Sequence, residues 1–420
     1  QFRKDVQEGK LPTVSWLTGP QNFSDHPSAP WYGAWYVSEI LDILTQNPEV
    51  WQKTIFILTY DENDGYFDHV PPFTVCDNHK PETGKCSPGI DTETEWIRIE
   101  NELGLGVKPK AAREAPIGLG FRVPMVIASP WSRGGKVCSQ LFEHTSTLQF
   151  LETFINKKFN KQIHFENISA WRRAISGNLT SAFTPFEKKE DKLPFLDRDK
   201  FVEEIYNAKF MQVPADYIKL NAQQITEVSS DPLGSALLPK QEPGIRPSSA
   251  LPYELFVHGQ LADDKKHFEI RFAAANNFFG DESSGSPFTV YAPVAFEKEK
   301  CRNWSFAAKP GDTLDYQWKL SSFEDKGYHL RVNAPNGFFR EFTGDSNDPQ
   351  LTVQVNYQKN RLTGKPTGNI ELTLANHASA FYNVSLNDNG YKKNSLTRRI
   401  VPGEQTIVMD LQKSYGWYDF

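Results

Sequence analysis

The periodicity of apolar positions changes near residue 250. Before it, helical spacing alternates with short unbroken apolar runs. Val37, Ile40, Leu41 and Leu44 recur at i, i+3, i+4 and i+7, one face of a helix. Asn47-Pro48 ends that helix, because a residue before proline is pushed out of the α region. Thr54 to Tyr60 is a continuous apolar run, the signature of a strand covered on both faces. Val123 to Ala128 predicts another buried strand, and Pro12 to Leu17 a short one. Leu148, Leu151 and Ile155 share one face of a helix over Thr145 to Ile155. Residues 71 to 118 read as a long irregular insertion. Strands alternating with helices predict that residues 1–185 form an α/β domain with a largely parallel sheet.

Residues 186–247 are charged and then rich in Pro and Ser, as in LGSALLPKQEPGIRPSSALP. This composition predicts a partly helical connector that becomes a linker. From Leu251 onward apolar and polar residues alternate: HFEIRF, FTVYAP, TLDYQWKL, YHLRV, LTVQV, IELTL, TIVMDL. Period two over many short segments predicts all-β, sandwich-like structure. The pattern also repeats. Ile270 to Asn276 matches Ile370 to Asn376, Pro310-Gly311-Asp312 matches Pro402-Gly403-Glu404, and Gly327-Tyr328-His329-Leu330 matches Gly416-Trp417-Tyr418-Asp419. Two tandem β modules are expected, 248–360 and 361–420, with the second cut short.

The 420 residues are enough for two or three domains, and 39% hydrophobic residues are enough for real cores. No apolar run reaches the roughly 18 residues of a membrane span. A net charge of -6 argues against a general nucleic-acid binder, which needs a basic face. Cys76 and Cys86 flank the polar loop CDNHKPETGKC. A disulfide there would suit an exported protein, and two unpaired loop thiols fit the spacing equally well. Cys138 and Cys301 are isolated and read as structural. The chain opens on Gln1 with no signal-like segment, and its second β module stops short. Both features lead us to expect a piece of a longer protein.

In open α/β sheets ligands gather beyond the carboxyl ends of the strands. Three predicted strands end in loops that carry chemistry: Asp25-His26-Pro27, Asp61-Glu62, and Ser129-Pro130-Trp131. If the strands are parallel, the three loops share one edge. Asp61 and Glu62 are the sharpest pair. Adjacent acids at a strand end can offer two hard oxygens to a divalent cation. The competing reading is a solvated turn built on Asn63-Asp64-Gly65. DENDGYFD does not fit an EF-hand loop, because its glycine is fifth and no glutamate stands at position twelve. His26, held in a Pro-flanked loop, has the chemistry of a general acid or of a donor to a phosphoryl oxygen. It also reads as an ordinary loop histidine. His69 follows Asp68 and is either a partner of that carboxylate or a turn hydrogen bond. His144 stands at a predicted helix N-terminus, where capping and packing are common roles. Arg133-Gly134-Gly135 reads as a glycine turn before it reads as a phosphate cradle. Trp31, Tyr32, Trp35 and Tyr36 cluster beside His26, either as core or as a face for a quaternary ammonium group.

ILTYDENDGYFDHVPP, FRVPMVIASPWSRGGKV with FEHTSTLQFLE, and SDHPSAP together resemble the bacterial phosphoesterase family. That family comprises phosphocholine-specific phospholipases C and related acid phosphatases. The likeness covers residues 11 to about 160, and the tandem β modules favour the phospholipase C branch. The resemblance implies an alkaline-phosphatase-like, three-layer α/β fold, present here in part and followed by two all-β sandwich-like modules. It implies that Asp61 and Glu62 are metal-binding acids and that His26 lines the phosphate site. It gives no definite role to His69 or His144, which stand with Trp31 as candidate substrate-binding residues. The family's Glu-Asn pair and its Thr or Ser nucleophile are not found here and would precede Gln1, so this chain is expected to hold half a site and to be inactive alone.

The activity implied is metal-dependent hydrolysis of phosphatidylcholine-type lipids to diacylglycerol and phosphocholine through a covalent phospho-enzyme. The expected cofactor is a divalent metal ion of unspecified identity. The expected partners are a phospholipid substrate and, peripherally, a membrane, with no nucleic acid. The expected location is secreted or periplasmic. Trp31 is the nearest candidate for the choline group. The alternatives are an acid phosphatase or other phosphodiesterase on the same scaffold, and a non-catalytic surface-binding protein that works through its β modules.

Overall fold

The computed structural model describes the chain except residues 25–28, 64, 69, 189–196, 209, 213–217, 233, 239–245 and 392–394. Helices α1 (Phe2–Gln7), α2 (Pro30–Thr45) and α3 (Pro48–Trp51) precede strand β1 (Phe56–Thr59). Next come β2 (Gly84–Cys86), β3 (Trp96–Ile97), α4 (Ile99–Gly104), β4 (Ala115–Pro116) and β5 (Met125–Ala128). Four helices follow: α5 (His144–Phe159), α6 (Ala170–Ile175), α7 (Arg198–Ala208) and α8 (Ala222–Ser230). The rest is β-rich: β6 (Leu255–Leu261), β7 (His267–Ala274), β8 (Ser286–Tyr291), β9 (Asn303–Ala308), β10 (Asp312–Lys319), β11 (Tyr328–Ala334) and β12 (Phe338–Gly344). It closes with β13 (Leu351–Lys359), β14 (Pro366–Asn376), β15 (Tyr382–Leu386), β16 (Leu396–Ile400) and β17 (Gly403–Met409). No helix among the described residues is long and apolar enough to cross a membrane. The chain divides into two compact units that interleave along the sequence, so contiguous boundaries at 185 and 247 do not describe them.

One unit comprises residues 1–58, 126–137 and 184–248. Its small core joins Val6 of α1 to Ile40 and Leu44 of α2. Asn47 separates α2 from α3. Its side-chain oxygen accepts from the backbone nitrogens of Glu49 (3.2 Å) and Val50 (3.4 Å), and its Nδ2 donates to the carbonyl of Val6 (2.7 Å). The stop expected at Asn47-Pro48 is thus also the start of the next helix. α2 begins at Pro30, which places Trp35 in its second turn.

Among the described residues β1 pairs only with β5, in a two-stranded sheet. Phe56, Ile57 and Leu58 are half-buried and Thr59 is exposed, which corrects the expectation of a strand covered on both faces. An apolar run shows which residues prefer burial, not which element covers them. Pro12 to Leu17 forms no strand, and Trp16 is 70% exposed. The described residues therefore supply two strands where three were expected, and they do not assemble a three-layer sheet. Helices α7 and α8 lie in the connector, which is partly helical as its composition suggested.

The other unit comprises residues 59–125, 138–183 and 249–420. Two sheets, β10-β7-β6 and β12-β11-β8-β9-β2, face each other as a sandwich. Phe268, Ile270 and Phe272 come from the first sheet; Phe288, Val290, Trp304, Phe306, Leu330 and Val332 come from the second, and none is more than 2% exposed. Along β11 every second residue is buried, the pleat expected from its alternation. The strand at one edge is β2, from the segment expected to be irregular, and it runs parallel to β9. Around it Thr74 Oγ1 lies 2.8 Å from Ser305 Oγ, Lys309 Nζ donates to the carbonyl of Pro88 (2.8 Å) and Tyr316 Oη donates to that of Pro81 (3.1 Å). Three residues, one of them glycine, are too few to leave a periodic signal.

The internal repeat is real at the level of strands. β7 and β14 are each the central strand of a three-stranded antiparallel sheet, β10-β7-β6 and β13-β14-β17. In each copy the Pro-Gly turn leads into the strand that pairs with it. The equivalence ends there, because Tyr328 opens β11 whereas Trp417 lies in no strand. β13 pairs with β14, so the second sheet begins at Leu351 rather than after 360. β15 and β16 form a separate hairpin.

Candidate functional site

β1 delivers the chain to Tyr60, whose backbone nitrogen donates to the carbonyl of Pro124 (3.4 Å). Asp61 and Glu62 follow, both exposed. The turn beyond them is closed by Asn63, whose Nδ2 donates to the carbonyl of Tyr66 (2.5 Å) and whose own carbonyl accepts from Tyr66 N (3.0 Å). Gly65 permits this turn with φ +73°. Its far side is pinned by Arg122 Nε on Asp68 (2.8 Å) and by the edge-on contact of Phe67 with Phe121 (4.8 Å). Asn63 and Gly65 thus make the turn, and the carboxylates of Asp61 and Glu62 take no part in it. Neither makes a hydrogen bond or ion pair among the described residues.

Two adjacent, uncommitted carboxylates suit a hard divalent cation. By themselves they would make only part of a donor set, since the described residues contain no group of three His, Cys, Asp or Glu placed to hold a metal. His26 and His69 lie outside the described residues, as does Asp64, and the expected convergence of His26 on Asp61 and Glu62 lies outside them too.

His144 is the first residue of α5, and its Nε2 lies 3.1 Å from the backbone carbonyl of Asp61. A carbonyl oxygen only accepts, so Nε2 carries the hydrogen. The cap of α5 is Glu143 and not His144. The Glu143 carboxylate accepts from Thr145 N (3.0 Å), and Ser146 Oγ accepts from Glu143 N (3.0 Å). That carboxylate also receives Arg172 Nη1 (3.1 Å). Arg172 in turn grips Glu95, with Nε on Oε1 (2.8 Å) and Nη2 on Oε2 (3.0 Å), and its Nη2 also donates to the carbonyl of Gly118 (3.0 Å). Burial works against the charge on Arg172, but the bonds from Glu95 and Glu143 outweigh it and leave its pKa above the ordinary value. Glu95 is 3% exposed and also accepts from Ser169 Oγ (2.6 Å), the residue that caps α6.

Sequence reasoning missed Glu95, Glu143 and Arg172. Glu143 carried a usable signal, an acid three residues before Ser146 at a predicted helix start. The other two lie far apart along the chain and carried none.

The aromatic cluster divides. Trp35 packs on Phe23 (5.7 Å between centroids) and lines a largely apolar cavity of about 360 Å³ with Leu17, Tyr36, Ile40 and Ile43. Trp31 does not line that cavity and is 56% exposed. After β5, the Ser129-Pro130-Trp131 loop closes on itself, with Ser132 Oγ donating to the carbonyl of Ile127 (2.9 Å). Gly134 and Gly135 both take positive φ, as the glycine-turn reading requires. Cys76 and Cys86 bring their sulfurs within 2.7 Å, Cys138 lies 3.3 Å from Ser181 Oγ, and Cys301 is exposed rather than structural.

Residues 1–157 match the phosphoesterase family, and residues 247–345 match the C-terminal domain of bacterial phospholipase C. The whole chain aligns at 34% identity with the non-hemolytic phospholipase C of Burkholderia pseudomallei, covering 54% of that protein. It aligns at 35% with the non-hemolytic phospholipase C of Pseudomonas aeruginosa, covering 100% of this chain and 56% of that one. Phospholipase C A of Mycobacterium tuberculosis is 39% identical over 183 residues, 43% of this chain and 31% of its own length. The chain spans about half the length of the curated relatives that it matches end to end. By these matches residues 1–157 are similar to the phosphoesterase family and residues 247–345 to the C-terminal domain of bacterial phospholipase C.

Proposed function

We propose that the whole protein is a secreted or periplasmic phospholipase C that hydrolyses phosphatidylcholine-type lipids to diacylglycerol and phosphocholine. The observation that carries this reading is the alignment of the entire chain, α/β part and β modules alike, with proteins named phospholipase C. On this reading the α/β part is a portion of an alkaline-phosphatase-like catalytic domain. Asp61 and Glu62 would help to hold a divalent metal ion with their free carboxylates. A bound divalent cation would supply charge neutralisation at the phosphoryl oxygens and a lowered pKa for an attacking hydroxyl. The turn closed by Asn63 and Gly65 keeps the two carboxylates at the end of β1, and His144 fixes the carbonyl between them. His26 stabilises phosphoryl charge or protonates the leaving diacylglycerol oxygen. The covalent phospho-enzyme belongs to this reading, with a nucleophile that this chain does not supply.

The test is the full-length protein on phosphatidylcholine vesicles, with product analysis. Diacylglycerol and phosphocholine are expected. Phosphatidic acid and choline, or turnover of simple phosphomonoesters alone, would overturn the reading. The same assay separates the acid phosphatase alternative, and the absence of any hydrolysis by the folded full-length protein would favour a surface-binding protein.

A further inference from the structure

We infer that the partly buried chain Glu95–Arg172–Glu143 is a positioning device for the Asp61-Glu62 carboxylates, acting through His144. This rests on the proposed reading of Asp61 and Glu62 as metal-binding acids. Asp61 and Glu62 sit on an exposed turn, and their side chains have no partner of their own among the described residues. Something other than side-chain bonding must fix where they point, or each arrival of a cation would have to order them. The structure offers one hold on this peptide from α5, the 3.1 Å contact of His144 Nε2 with the carbonyl of Asp61.

A histidine at the first position of a helix is only as well placed as the helix end that bears it. Here that end is unusually well tied. The Glu143 carboxylate, 8% exposed, both caps α5 and receives Arg172. Arg172 carries two bonds to Glu95, whose side chain is 4% exposed. A surface cap needs only the helix amides; an ion chain in the interior adds a desolvation cost that simple capping does not require. Its geometric consequence is that α5 and α6 become one rigid frame, with His144 at its tip facing Asp61. The same frame reaches the carbonyl of Gly118 through Arg172 Nη2 (3.0 Å) and so ties the segment before β5 to it. Outer partners of metal-binding carboxylates typically control affinity by 10- to 100-fold, about the effect assigned here to His144.

The experiment uses the full-length protein stripped of metal, titrated calorimetrically with Mg²⁺, Mn²⁺, Ca²⁺ and Zn²⁺ in turn, beside its thermal melt. For whichever ion the unaltered protein binds, His144→Ala is expected to weaken affinity about 10-fold or more with only a small change in Tm. His144→Gln retains an N–H donor and is expected to restore most of the loss. Arg172→Lys keeps the charge but not the fork, and is expected to weaken affinity several-fold alone and to add nothing in the His144→Ala background. Unchanged affinity in His144→Ala, with binding abolished in Asp61→Asn, would overturn the positioning role and leave the metal reading standing. Independent, multiplying effects of Arg172→Lys and His144→Ala would reduce the ion chain to a structural one and overturn the relay. Unchanged affinity in Asp61→Asn would overturn the metal reading and this inference with it.

Discussion

A Cβ atom at Gly84 would stand 1.8 Å from the carbonyl oxygen of Ser305. The two residues face each other in the parallel pairing of β2 with β9, and Gly84 holds φ +132°, a conformation that L side chains rarely adopt. Close approach and backbone angle thus demand glycine independently. This contact joins a segment of the first 125 residues to the β sandwich. Gly84→Ala is expected to destabilise the fold by about 3 kcal/mol. Urea denaturation of the two proteins checks this, and a difference within a few tenths of a kcal/mol would mean that the pairing does not form in solution.

That edge strand also marks where the sequence stopped being legible. The β region was readable because each buried face repeats every second residue over many strands, as in HFEIRF and YHLRV. The Asp61-Glu62 turn was readable because a strand-like run breaks into acids and turn formers at one place. β2 has three residues and is held by pairing with a strand more than 200 positions away, which no local window can register. The grip of Arg172 on Glu95 fails the same test, being a contact 77 residues apart. Pro12 to Leu17 shows the opposite error, an apolar stretch that propensity favours as a strand but that no neighbouring strand pairs.

Cys76 should be hard to alkylate. The sulfur of Cys86 beside it and its own burial both push its pKa far above the ordinary thiol value, and the thiolate is the reactive form. Cys301 is exposed. Iodoacetamide at pH 8 is expected to modify Cys301 within minutes and Cys76 only after denaturant is added. Peptide mass mapping at timed intervals decides it, and equal rates at both sites would contradict the buried Cys76 environment.

His258 predicts a fall in stability on mild acidification. Its Nδ1 is buried with no hydrogen-bond partner among the described residues, and burial, reinforced by Arg340 and Arg271, pushes its pKa down to about 4. The unfolded chain would titrate near the ordinary value of about 6.5. A depressed folded pKa gives a contribution that is complete above pH 6.5 and is lost as pH falls toward 4, because the unfolded state takes up the proton first. Between pH 7 and pH 5 this loss amounts to at most about 2 kcal/mol, since the ring is not wholly buried. His258→Phe should flatten the dependence of Tm on pH across that interval. An unchanged slope in the variant would show that other groups set it.

The aromatic residues of α2 allow the head-group preference to be tested on one side chain. Trp35 packs on Phe23 and lines a cavity, so its removal costs core contacts. Trp31, in the first turn, is more than half exposed and lies outside that cavity, so its ring is open to a ligand and its removal should leave the fold intact. If the intact enzyme receives the choline group on Trp31, a desolvated cation–π contact contributes about 2 kcal/mol, which corresponds to a rise in KM of roughly thirty-fold on its loss. A primary ammonium keeps strong hydrogen bonds to water and other acceptors, so ethanolamine esters should suffer less. The measurement is KM for both esters in the full-length Trp31→Ala protein, with Trp35→Ala as the control that lowers Tm. Equal losses on the two head groups would make Trp31 a packing residue and move choline recognition elsewhere in the protein.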